Sequence, residues 1–347
     1  EPFMIIDSHG HVTAPDKLYV YKAGILSHRG GHGRGQVGAT DQDIIDALNA
    51  PVFGGSSHLE QLKEAGTDLQ VISPRPYQMM HSENPKLVGW YIEETNDILA
   101  RQAKLFPNTF RAVAGLPQSP GVSPKGCLPY LEKLVKEQGF VGCLLNPDPG
   151  ECGGGPETPP LGDRFWYPLY EKMVELDVPA MVHVSSSCNP CFHGTGAHYI
   201  NGDTTAFMQF LTSDLFTDFP TLRFVIPHGG GGVPFHWGRY RGLAQDMKRP
   251  LLTDLIRHNI FFDTCVYHYP GIELLLKVVP ADNILFGSEM VGAVRGIDPE
   301  TGHYYDDTKR YVQATPNLSE EQRYKVFEGN ARRVFSRMDT KLKAQGR

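Results

Sequence analysis

Apolar residues fall into eight short runs along the chain, at residues 4–7, 69–73, 110–116, 140–145, 180–184, 224–227, 260–264 and 284–287. Each is rich in β-branched or aromatic residues. Most are apolar on both faces, as strands are when a parallel sheet is covered on two sides. Between them the apolar positions take a helical period, as at 87–105, 127–138, 165–176 and 271–279, and two more helices are predicted at 319–328 and 331–343. Strands alternating with helices in this number predict one α/β domain, a closed (β/α)8 (TIM) barrel. An open doubly wound sheet is the rival, but no Gly-x-Gly-x-x-Gly follows the first strand. Irregular insertions are expected at 26–50 and 146–162, both on the C-terminal face where barrel enzymes work. The run from Gly229 to Gly232 lacks the Lys-Ser/Thr of a phosphate loop and predicts a close backbone approach beneath a pocket. The barrel is expected to span 4–347, with Glu1-Pro2-Phe3 a cloning remnant ahead of a natural start at Met4.

The polar residues that end these runs carry the chemistry. The first run leads into His9-Gly-His11, and side chains two apart on a strand leave it on one face. The second run ends at Arg75, the fourth at Asn146, the fifth at His183, the sixth at His228 and the eighth at Glu289. A barrel gathers all these ends into one bowl. Taken singly, a histidine after an apolar strand is most often a satisfied core residue, and Glu289 could simply pair with Arg295. Taken together, several histidines and a carboxylate at separate strand ends suit a borderline divalent ion such as Zn²⁺, in an open catalytic site rather than a closed structural one.

Composition narrows the class. The 347 residues are 40% hydrophobic and 21% charged, with a net charge of −6, ordinary for a globular enzyme. No Lys/Arg run points to nucleic acid or a membrane surface, and no apolar stretch approaches the roughly 18 residues of a membrane span. No signal peptide is visible, and six scattered cysteines read as free thiols of a reducing cytoplasm. Cys188-Asn-Pro-Cys191 is the one pair with redox or zinc spacing, and no second pair answers it.

At Ile-Asp-Ser-His9-Gly-His11, Val-His183, Ile-Pro-His228-Gly-Gly-Gly and Ile-Leu-Phe-Gly-Ser-Glu289 the chain resembles the amidohydrolase superfamily. Its branch is that of the 2-amino-3-carboxymuconate-semialdehyde decarboxylase-like enzymes. The resemblance covers nearly the whole chain and implies a distorted barrel binding a divalent ion, Zn²⁺ or Mn²⁺. It implies His9, His11 and His183 as metal ligands and His228 as an acid/base or carbonyl-polarising group. The strand-8 carboxylate would be a ligand and the water-activating base. Decarboxylases of the branch typically carry Phe-Gly-Ser-Asp-Tyr-Pro there, whereas this chain has Glu289-Met-Val. That difference leaves open whether Glu289 ligates the ion directly or through its water. With Ser73-Pro-Arg75-Pro, Asn146-Pro-Asp-Pro-Gly and His193-Gly-Thr-Gly-Ala-His198-Tyr199, it is similar to the hydratase group of the branch, whose substrate 4-oxalomesaconate is a tricarboxylate enone. The function implied is hydration in aromatic catabolism: Glu289 takes a proton from water, and His228, or else Tyr199, protonates the carbon next to the ketone. Arg75 would hold a substrate carboxylate, with Asn146, Arg239 and Arg295 as further binding candidates. The implied assembly is a cytoplasmic homodimer. The rivals are a metal-dependent non-oxidative decarboxylase of an aromatic or muconate-type acid, and a non-catalytic metal-binding scaffold.

Overall fold

A computed structural model describes residues 2–53, 55–152, 157–187 and 189–347. Eight parallel strands lie side by side in chain order. They are β1 (Ile6–His11), β2 (Leu69–Ser73), β3 (Phe110–Ala114), β4 (Gly142–Leu145), β5 (Ala180–Val182), β6 (Phe224–Ile226), β7 (Ile260–Asp263) and β8 (Ile284–Leu285). Backbone bonds bring the last strand back to the first: Ser8 N–H donates to Phe286 C=O at 2.9 Å and Glu289 N–H to His9 C=O at 2.7 Å. Helices fill the connections, so the chain is a (β/α)8 barrel.

The period of two along each strand divides the core into two layers. Val71, Val113, Met181, Val225, Phe261 and Leu285 gather inside the barrel. Their neighbours Ile72, Ala112, Val182, Ile226, Phe262 and Ile284 pack outward on the helices. Val334, Phe335, Met338 and Leu342 join the inner cluster and plug the barrel at the strands' N-terminal ends. Arg223 ties this plug to the start of β6, donating from Nε to Val334 C=O at 2.9 Å. With the bottom sealed by apolar side chains, polar groups have only the C-terminal ends to occupy.

Three local expectations are corrected. The insertion at 26–50 is not wholly irregular. Helix Asp41–Asn49 forms within it, started by a capping box between Thr40 and Asp43 and held by the buried pair Ile44 and Leu48. β1 runs on through His11, with a register shift between Asp7 and Gly10 against β2. The last two helices divide into Glu320–Tyr324, a π turn Lys325–Gly329, Asn330–Val334 and Ser336–Ala344, because Phe335 leaves the helical region to bury its ring in the plug. The segment 146–162 carries no helix or strand among its described residues, as expected from its Gly and Pro content.

Candidate active site

His9, His11 and His183 converge at the C-terminal mouth, with one ring nitrogen of each within 4.8 Å of the others. Their outer nitrogens are held. His9 Nδ1 lies 2.8 Å from Asp263 Oδ2, His11 Nδ1 2.8 Å from Ser73 Oγ, and His183 Nδ1 2.7 Å from Val184 C=O. A carboxylate and a carbonyl can only accept, and the Ser73 hydroxyl spends its own hydrogen on Pro74 C=O at 2.9 Å. Each Nδ1 therefore carries a proton, and in the neutral ring each Nε2 presents a lone pair. The Nε2 atoms of His9 and His11 lie only 3.2 Å apart, and that of His183 is buried without a partner among the described residues. Buried lone pairs facing one another are costly until a cation occupies the point they share, so this donor set fits a divalent ion. Burial and the neighbouring imidazoles hold His183 well below the ordinary histidine range. Burial, offset in part by Glu289, holds His11 down at about 4.

His228 stands apart from that trio in chemistry. Its Nδ1 donates to Asp203 Oδ2 at 2.8 Å, and its Nε2 points toward Glu289 Oε2, 3.6 Å away. Burial opposes a charge on the ring, but Asp203, Glu289 and Asp263 outweigh it and lift His228 to about 9. Tyr199 and Asp203 sit one turn apart at the start of helix Tyr199–Leu211, so one helix face serves His228 twice. Asp203 holds its inner nitrogen, and the Tyr199 ring stacks on it at 5.9 Å.

Glu289 follows β8 and faces His11 Nε2 from Oε1 at 3.6 Å. Burial pushes its carboxyl up, yet the neighbouring imidazoles of His11, His9 and His228 override this and hold it well below the usual carboxylate range. Both His228 (φ 54°) and Glu289 (φ 55°) lie in the left-handed region, as does Val291 (φ 61°), a strained conformation for a β-branched residue. The glycine run after His228 makes the close approach its sequence predicts: a Cβ on Gly230 would stand 2.5 Å from the Phe262 ring.

Above these groups opens a cavity of about 800 Å³, lined among others by His11, Arg75, Tyr77, Tyr199, Glu289 and Arg295. Arg75 is buried and donates to Val291 C=O at 3.0 Å; Arg295 donates to Gly292 C=O at 2.9 Å and lies over the Phe53 ring. Neither guanidinium pairs with a carboxylate among the described residues, Glu289 included. Asn146 spends both amide hydrogens behind the cavity, on His81 Nδ1 at 2.8 Å and Ser185 Oγ at 3.1 Å. Arg239 is exposed on the outer helix Trp237–Asp246, away from the cavity lining. Cys191 is exposed, and Cys188 lies outside the described residues.

Sequence reasoning passed over four residues that contact the predicted site: Asp203, Asp263, Cys265 and Tyr267. Asp263 carried a readable signal, since it ends β7 as the named residues end their strands. Asp203 lies four residues after Tyr199 on one helix, also a legible spacing. Cys265 and Tyr267 carried none. They reach Glu289 only through the tertiary approach of the segments after β7 and β8.

The chain matches the amidohydrolase family over residues 6–337. It is 52% identical over 349 aligned residues, 99% of both chains, to 2-keto-4-carboxy-3-hexenedioate hydratase of Sphingobium sp. (strain NBRC 103272 / SYK-6). The crystal structure of 4-oxalomesaconate hydratase from Rhodopseudomonas palustris matches with a TM-score of 0.88 at 51% identity, covering 99% of each chain. That of 5-carboxyvanillate decarboxylase from Novosphingobium aromaticivorans, solved with bound manganese, matches with a TM-score of 0.70 at 16% identity over 96% and 97% of the two chains, a likeness of fold.

Proposed function

From the premise that this chain belongs to the amidohydrolase family, we propose that it is a hydro-lyase that adds water to 4-oxalomesaconate, giving 4-carboxy-4-hydroxy-2-oxoadipate. The observation that carries this reading is the identity of 52% over 99% of both chains to a hydratase of that substrate. The geometry supplies the means.

Three lone-pair nitrogens, on His9, His11 and His183, would hold a divalent ion, Zn²⁺ in this reading with Mn²⁺ as the alternative. Such an ion lowers the pKa of water and polarises a neighbouring carbonyl. Glu289 is the general base: it is ionised, borders the cavity and takes a proton from the attacking water. Oxygen bonds to C4, the carbon β to the ketone, and the alkene electrons move into an enolate across C2 and C3. His228, kept protonated by Asp203, returns a proton to C3. Tyr199, stacked on it, is the second candidate donor. Arg75 and Arg295 border the cavity as cations without carboxylate partners among the described residues, the complement of a tricarboxylate. Asn146 acts at one remove, by holding Ser185 and His81 in place behind the cavity.

No described helix is long and apolar enough to cross a membrane. A cytoplasmic homodimer that binds no nucleic acid completes the reading.

The test is the metal-loaded protein with 4-oxalomesaconate. Loss of the enone absorbance without release of CO₂ supports hydration, whereas CO₂ release would make the chain a decarboxylase.

A further inference from the structure

The two oxygens of Glu289 are treated differently by their surroundings. Oε2 accepts two hydrogen bonds, from Tyr267 O–H at 2.7 Å and from Cys265 S–H at 3.0 Å. Oε1 accepts none among the described residues; its near neighbour is His11 Nε2, 3.6 Å away. Cys265 is buried and Tyr267 half-buried, and both belong to the segment that follows β7. Asp263 begins the same segment and fixes His9 Nδ1 at 2.8 Å. Alternate residues of one segment, 263, 265 and 267, therefore orient groups on both β1 and the end of β8.

We propose that Tyr267 and Cys265 are positioning residues that decide which oxygen of Glu289 works. With Oε2 held as a double acceptor, the carboxylate cannot turn about its last torsion, and Oε1 is the oxygen presented to water. In the reaction the water O–H bond breaks and its proton passes to Oε1. The new C–O bond forms at C4 as the alkene electron pair moves toward the ketone. Neither Tyr267 nor Cys265 gives up its proton. Their contribution is to keep the base in a near-attack orientation, so their loss lowers turnover and leaves substrate affinity in place. This inference rests on the assignment of Glu289 as the water-activating base.

Steady-state kinetics of the metal-loaded Tyr267→Phe, Cys265→Ala, Cys265→Ser and Glu289→Gln variants tests it. Tyr267→Phe should lower kcat about tenfold, the scale of one lost hydrogen bond to a charged group, with KM changed less than about twofold. Cys265→Ala should lower kcat several-fold, and Cys265→Ser, which restores a donor in the same place, should recover most of it. Wild-type kcat in both Tyr267→Phe and Cys265→Ala beside an inactive Glu289→Gln would overturn the positioning role and spare the base. Wild-type kcat in Glu289→Gln would remove the base and the inference with it. Should Tyr267→Phe not fold, the comparison of Cys265→Ala with Cys265→Ser decides, and equal kcat in the two contradicts the proposal.

Discussion

Glu289 faces the histidine cluster from Oε1 and accepts two donors at Oε2. Glu289→Gln keeps the shape and loses the charge. Turnover should fall by about 10²–10⁴, the usual worth of a general base. Metal content measured by elemental analysis should stay near one ion per chain if His9, His11 and His183 suffice to hold it, and complete loss of metal would make Glu289 a direct ligand. At this scale the sequence was legible for most side chains that end a strand, because barrel geometry turns that position into a site position. Thus His9, His11, His183, His228 and Glu289 come together at one mouth. Two candidates that residue type marked for recognition lie outside the cavity lining. Asn146 has polar partners enough to satisfy it away from the cavity, and Arg239 sits on the solvent side of its helix.

At the scale of elements, the loop after β8 is the most constrained segment near the chemistry. Val291 sits at φ 61°, and both of its backbone polar groups are taken: Asp306 Oδ2 accepts from its N–H at 2.9 Å and Arg75 donates to its C=O at 3.0 Å. This clamp offsets a conformation that costs about 1–3 kcal/mol. Asp306→Ala removes one jaw and leaves a buried N–H unpaired, so it should cost about 1–3 kcal/mol of stability in a denaturant titration and lower kcat through Glu289, two residues away. Asp306→Asn keeps an acceptor oxygen and should recover most of both. An Asp306→Ala protein as stable and as active as the parent would show that the strain is held elsewhere. Elements were read well in the barrel, where apolar runs alternate cleanly, and poorly where capping chemistry decides. Helix Asp41–Asn49 has only Ile44 and Leu48 to bury and depends on its Thr40–Asp43 box, a weak signal inside a polar stretch.

For the whole molecule, a bound divalent ion would add stability by mass action, since the unfolded chain does not assemble its ligands. Chelation should abolish activity and lower the unfolding midpoint, and restoring Zn²⁺ or Mn²⁺ should reverse both. A second global effect comes from His58 and His81, which burial holds down at about 4. The folded chain leaves both neutral where the unfolded chain, titrating near 6.5, binds protons. Their share of the stability should therefore be full above about pH 6.5 and decline steadily as pH falls toward 4. A midpoint unchanged between neutral pH and pH 5 would contradict this. The barrel itself was legible because eight apolar runs impose it. The partition of function within it was not, because the segment after β7 acts through contacts that join residues far apart in the chain. Water addition at the assembled site keeps all three substrate carboxylates, whereas decarboxylation would remove one. Carbon NMR of the product formed from 4-oxalomesaconate tests it most directly. Hydration should give a saturated CH₂ at C3, a hydroxyl-bearing quaternary carbon at C4 and three carboxylates; a product with two carboxylates and free CO₂ would contradict it.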